Sequence, residues 1–423
     1  MTVSQIDRIG RARAGDRRSH PRWLLVLILL FVSASYARAQ DRSTMDIYGF
    51  IMLDMGHDFK TIDPDWFDTM RVTKLPSFEG EFGKDHDTFA GIRQTRFGVK
   101  TETPTSLGPL KTQFEFELFG TGVDAGQTTL RMRHAYGELG QFGAGQTWSP
   151  FMDPDVFPNS LEYWGPTGMV FYRNVQFRWM PIKGDTNLTI ALERPGASGD
   201  SGVFADRNEL SGIQGRFPVP DVTGAFTYGK SWGYVRAAAA VRRINWDDVV
   251  QDQFELGGHV TGWGINLSSN LKVKQDVIRL QLVYGEGIQN FMNDTPVDVG
   301  LKLNLSDPVT PVKGEALPIV GVVAFLDHKW SEKWGSTIGY SRQDVDNSDG
   351  QTGDAFKVGQ YALGNVVFYP VPNVMVGGEF QWGRREENCS ISSSGNCDAD
   401  GFHSDGYKLQ FSFKYNFTKR IGG

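Results

Sequence analysis

The sequence predicts an all-β protein: a transmembrane antiparallel β-barrel of about 16 strands with an inward-folded third loop. Three observations predict it. The N-terminus carries an export signal, the remainder alternates polar and apolar residues with period two, and the connections between alternating segments are short and long by turns. Composition agrees. The 423 residues include 50 Gly, 29 Phe, 13 Tyr and 11 Trp, a mixture that favours strands and turns. Charged residues make up 22% and mean hydropathy is −0.33, which excludes a bundle of apolar transmembrane helices.

Arg8, Arg11, Arg13, Arg17, Arg18 and Arg22 precede the apolar run Trp23–Val32, and Ala37-Arg38-Ala39 supplies the small residues of a cleavage site. This is the layout of a secretory signal peptide, with an apolar run too short to span a bilayer. Residues 1–39 are expected to be removed, and residues 40–423 to form a single barrel domain beginning at Gln40. The presequence holds seven Arg and two Asp; removing its net charge of +5 from a chain of −6 leaves −11. An exported acidic chain is unsuited to nucleic acid.

The strands follow from period two. In Lys111–Leu118, Lys111, Gln113, Glu115 and Glu117 share one face and Thr112, Phe114, Phe116 and Leu118 the other. Near the C-terminus Tyr407, Leu409, Phe411, Phe413, Tyr415 and Phe417 oppose Lys408, Gln410, Ser412, Lys414 and Asn416. Sixteen such segments run from 45–56 to 403–417. Short turns fall near 103–108, 140, 181–185, 230–232 and 370–372; longer connections occupy 57–89, 148–168, 195–219, 289–314 and 387–402. That segregation is the pattern of outer-membrane barrels.

Parity separates lumen from lipid, because lipid tolerates few charges. The polar face collects Arg96, Arg131, Arg133, Arg178, Arg236, Arg242 and Arg279, among twelve bases against seven acids, although the whole chain is acidic. Arginines in a narrow lumen focus a field that draws in anions; the plainer expectation is that they pair with wall carboxylates. Asp153, Asp155 and Glu162 fall in the third long connection, where acids facing wall arginines would set up a transverse field at a constriction. His134 takes the outward parity of the fourth strand. Cys389 and Cys397 sit in the last long connection, where export predicts a disulfide and not a metal site.

Residues 98–120 (GVKTETPTSLGPLKTQFEFELFG) and 131–168 (RMRHAYGELGQFGAGQTWSPFMDPDVFPNSLEYWGPTG) resemble the DcaP-like trimeric outer-membrane porins. The pieces RHAYGEL, GQTWS-x-F-x-D and the closing GP-x-G carry the resemblance, joined by Tyr284–Ile288 and the Phe-rich last strand. It implies a homotrimer in outer-membrane lipid that passes dicarboxylates and other small anions. One departure is that the chain runs on past the terminal aromatic Phe417, through Thr418–Gly423.

No HExxH, G-x-S-x-G, CxxC or P-loop occurs, so neither an enzyme nor a cofactor is expected. Asp344, Asp346 and Asp349 lack the Gly and Glu that a calcium loop places at positions six and twelve. The expected function is passive diffusion of small anionic solutes through an Arg-lined channel. The alternatives are a general, sugar-selective or cation-selective channel and, further off, a barrel enzyme or adhesin.

Overall fold

The computed structural model describes residues 43–389 and 401–422, all within one compact unit. Eighteen strand segments form a sheet that closes on itself. They occupy sixteen wall positions, since two positions are each split in two. The wall strands are β1 (Thr44–Asp58), β2 (Asp87–Gly91 and Arg96–Thr103), β3 (Leu110–Phe119), β4 (Thr128–Leu139), β5 (Phe142–Trp148), β6 (Arg173–Ile182), β7 (Asn187–Glu193) and β8 (Ile213–Arg216 and Asp221–Lys230). They continue with β9 (Gly233–Asp248), β10 (Gly258–Val273), β11 (Asp276–Glu286), β12 (Pro318–Lys329), β13 (Trp334–Val345), β14 (Phe356–Phe368), β15 (Val374–Glu387) and β16 (His403–Gly422). Each sequence segment coincides with one wall strand.

Neighbours pair antiparallel throughout, and β1 pairs with β16 from Thr44↔Gly422 to Asp58↔Lys408. Thr418–Gly422, beyond the terminal aromatic, therefore continue the last strand and are not a loose tail. β2 breaks where Arg93 turns into the interior, its Nη1 2.8 Å from Asp68. β8 breaks at Phe217–Pro220, where Pro218 and Pro220 have no N–H for the ladder.

All wide connections lie at one end of the barrel and tight turns at the other. The outward face is apolar: Phe97, Phe114, Phe142, Phe177, Leu192, Phe226, Leu267, Phe380 and Phe411 are all exposed, as a wall in hydrocarbon requires. The inward face is less polar than parity implied. Ala225, Ala238, Val283, Val323, Phe325 and Tyr361 of the wall form one buried cluster with Met70, Val72 and Leu75 of the β1–β2 connection, Phe151, Met152 and Val156 of the β5–β6 connection, and Ile288, Phe291 and Leu317 of the β11–β12 connection. The long connections thus have an apolar core of their own, a feature period-two reading cannot see. The β11–β12 connection also carries a hairpin, Val299–Leu303 with Val312–Ala316.

Candidate functional site

Three neighbouring strands bring charged side chains to one inward patch. Arg96 on β2 stands opposite Glu117 on β3, and Glu117 stands opposite Arg131 on β4. A bulge then shifts the register: Phe116 faces Met132 while Glu115 faces His134, leaving Arg133 as the extra residue. One inserted residue reverses the parity that follows it, so Arg133 and His134 both turn inward. Arg133 places Nε 2.7 Å from Glu115 Oε1 and Nη1 2.6 Å from Glu117 Oε2. The outward position expected for His134 is therefore corrected: its ring is buried, with Nδ1 2.9 Å from Thr147 Oγ1.

Glu117 is fully buried at the centre. Arg96 Nη2 lies 3.2 Å from it, and Arg131 and Arg173 each approach Oε1 at 3.9 Å. The Tyr163 hydroxyl, from the β5–β6 connection, donates to that same oxygen. Four guanidiniums thus surround two carboxylates. Arg96 Nε, Arg131 Nη1 and Arg173 Nη1 are buried without a hydrogen-bond partner. Buried donors left unsatisfied carry a desolvation penalty that an incoming acceptor would remove.

The other expected arginines also face inward, but they hold loops. Arg178 donates to Trp148 O at 2.5 Å and to Gln176 Oε1. Arg236 donates to Pro150 O at 2.7 Å and Met152 O at 3.2 Å. Arg242 lies 2.9 Å from Asp298 and 3.4 Å from Asp221, while Arg279 lies 2.6 Å from Asp327 and donates to Asp155 O.

The β5–β6 connection bonds to side chains from many wall strands. Its Asn159 carbonyl accepts from Asn365, its Leu161 carbonyl from Gln94 and Gln410, and its Phe151 carbonyl from Asn266. Gly168 lies so close to β12 and β13 that a β-carbon would strike Arg342 O and Val322 N. Two of the three acids in this connection, Asp153 and Glu162, bond to other groups and not to the arginines expected of them. Asp153 accepts from Tyr234 at 2.8 Å and Ser268 at 2.5 Å. Glu162 accepts from the backbone of Met70 and Trp164 at 3.1 and 2.8 Å and from Gly165 at 2.5 Å. Burial nonetheless pushes its carboxyl up to about 8. Among the three, only Asp155 is exposed, its backbone oxygen tied to Asn270 and Arg279.

Parity reading missed Arg71, Arg93 and Arg173. Arg71 lies in the corner formed by the edge-to-face rings of Trp66 and Trp164, 4.0 and 4.1 Å from their centroids, and 2.8 Å from buried Asp294. Cys389 is disulfide-bonded; Cys397, its expected partner, lies outside the described residues, as does the expected signal peptide.

Residues 34–226 match the family model described as DcaP outer membrane protein. The crystal structure of the outer membrane channel DcaP of Acinetobacter baumannii superposes with a TM-score of 0.71 at 22% identity, over 89% of this chain and 97% of that chain. The anion-selective porin from Comamonas acidovorans gives 0.57 at 9% identity, over 89% and 100%. Outer-membrane OmpT of Vibrio cholerae gives 0.54 at 12%, over 90% and 99%. Among curated proteins none matches. The chain is thus a β-barrel of the porin fold, similar over residues 34–226 to the DcaP outer membrane proteins.

Proposed function

We propose that the barrel is a non-enzymatic, anion-preferring diffusion channel for small carboxylates, dicarboxylates among them. The observation that carries this reading is the set of three buried guanidinium nitrogens, on Arg96, Arg131 and Arg173, with no partner around Glu117. Forked donors suit a carboxylate, and a solute held only in passing lets the channel conduct. The β5–β6 connection, bonded across the wall, acts as the inward-folded constriction loop and brings Tyr163 to the cluster. That hydroxyl occupies one Glu117 oxygen, so Arg131 and Arg173 stand 3.9 Å from it without a hydrogen bond. Four guanidiniums against two carboxylates leave the cluster with an excess of positive charge. Asp155 is the acid left to oppose the arginines. The Comamonas acidovorans porin of the same fold is anion-selective by its description, which supports the reading. The functional unit is a homotrimer released after cleavage before Gln40; a trimer form of OmpT supports this.

Reversal potentials under a KCl gradient in planar bilayers test the proposal. An anion-selective sign, reduced when Arg131 and Arg173 are neutralised, supports it. A cation-selective or non-selective channel overturns it and favours a general or sugar-conducting pore.

A further inference from the structure

We propose that His57 and His86 form a two-imidazole site for a divalent late transition-metal cation, at the long-loop rim of the barrel. His57 stands near the end of β1 on the outward parity of Ile51 and Met55, and His86 immediately precedes the first piece of β2. Nε2 of His57 lies 3.3 Å from Nδ1 of His86. Two nitrogens bound to one tetrahedral ion at about 2.0–2.1 Å stand about 3.3–3.4 Å apart, so the pair already has the separation of a chelate.

The surroundings favour the ligating form. His57 Nδ1 lies 3.2 Å from Thr88 Oγ1; when that nitrogen donates its proton, the lone pair of Nε2 is left towards His86. A hydrogen-bonded outer nitrogen is the usual device that fixes the tautomer of a metal-binding histidine. His86 holds φ at 79°, a left-handed conformation that a β-carbon disfavours, and in it the two ring planes are 28° apart. Its neighbour Asp85 is paired with Lys60 at 2.7 Å, so the flank of the site is close to neutral.

Among the described residues no group of three or more His, Cys, Asp or Glu is placed to hold a metal. Two imidazoles are therefore the protein's share and water completes the shell, which makes the binding reversible. Imidazole nitrogens select copper, nickel or zinc over magnesium and calcium. The rival arrangement is a hydrogen bond between the two rings with one shared proton and no affinity for metal.

Cu2+ titration of the folded, detergent-solubilised protein separates the two. The expected result is one Cu2+ per chain with nitrogen hyperfine structure from two imidazoles in its electron paramagnetic resonance spectrum, not displaced by Mg2+. His57→Ala should weaken binding by about 10-fold or more, as should His86→Gly. The glycine variant relieves the positive φ, so the barrel stays folded, which heat-modifiable electrophoretic mobility checks. His403→Ala and His259→Ala should leave the affinity unchanged. A wild-type protein that takes up no Cu2+, or binding that survives both His57→Ala and His86→Gly, overturns the proposal.

Discussion

Arg131 and Arg173 stand at the same distance, 3.9 Å, from one oxygen of Glu117, and neither hydrogen-bonds to it. That oxygen takes its hydrogen bond from Tyr163. Arg133, by contrast, is spent on Glu115 and Glu117 at 2.7 and 2.6 Å. The cluster therefore divides into an arginine bonded to both carboxylates and two that stand off Glu117 without a hydrogen bond to it.

Arg131→Gln with Arg173→Gln should fold, lower anion selectivity in bilayers and slow succinate uptake. Glutamine keeps a stem to stack while removing the charge. Wild-type selectivity in this variant would return all four arginines to a structural role.

Arg133→Ala should instead destabilise the barrel, by about 3–5 kcal/mol, because it strips a buried carboxylate pair of its closest cation. Urea unfolding of the purified barrel measures this. A small loss, within about 1 kcal/mol, would mean that Arg96 alone compensates both acids.

Arg71→Ala should loosen the mouth. Its guanidinium ties the β1–β2 connection to Trp164 and Asp294, so removing it leaves buried Asp294 without its cation, held from that connection by Thr73 alone. Single-channel recordings should show larger or noisier conductance, and proteolysis of the β1–β2 connection should quicken. Arg71→Lys should not restore the wild type, since an ammonium neither forks to a carboxylate nor offers a flat face to an indole. Rescue by lysine would reduce the contact to its charge.

The β1–β2 connection also yields a labelling test. Single cysteines at exposed Gly80 or Lys84 should react with an impermeant maleimide on intact cells, whereas one at buried Val72 should not. A cysteine at Thr105, in the turn between β2 and β3 at the opposite end, should stay unlabelled. Because Cys389 is disulfide-bonded, it should add no background signal. Labelling at Thr105 would overturn the orientation.

The wall was legible because a strand between lipid and lumen must alternate, and the alternation of Lys111–Leu118 or Tyr407–Phe417 is a direct trace of that demand. What escaped broke the alternation. The bulge at Arg133 flips the parity of His134. Arg173 has the odd parity of outward-facing Val175 and Phe177, yet at the strand's first residue it reaches Glu117. Arg71 lies in a connection with no period at all. The acids at 153 and 162 were placed in the right segment but given the wrong partners, since a sequence does not show that Tyr234, Ser268 and the amide of Gly165 are near.

The seam between β1 and β16 joins Thr44 to Gly422 and runs on to Asp58 and Lys408. It binds the first strand of the wall to the last, so no ring of hydrogen bonds exists until the final residues have been delivered. Until then both edge strands carry bare amides and carbonyls, which hydrocarbon cannot solvate. Local hairpins such as β4–β5 and β8–β9 can zip early, but closure joins residues at opposite ends of the chain and bears the largest loop-closure entropy. The ring of hydrogen bonds accordingly depends on that one pairing, whichever hairpins form before it. The strand-paired stretch after Phe417 lengthens that seam, and it is the last part of the wall to arrive.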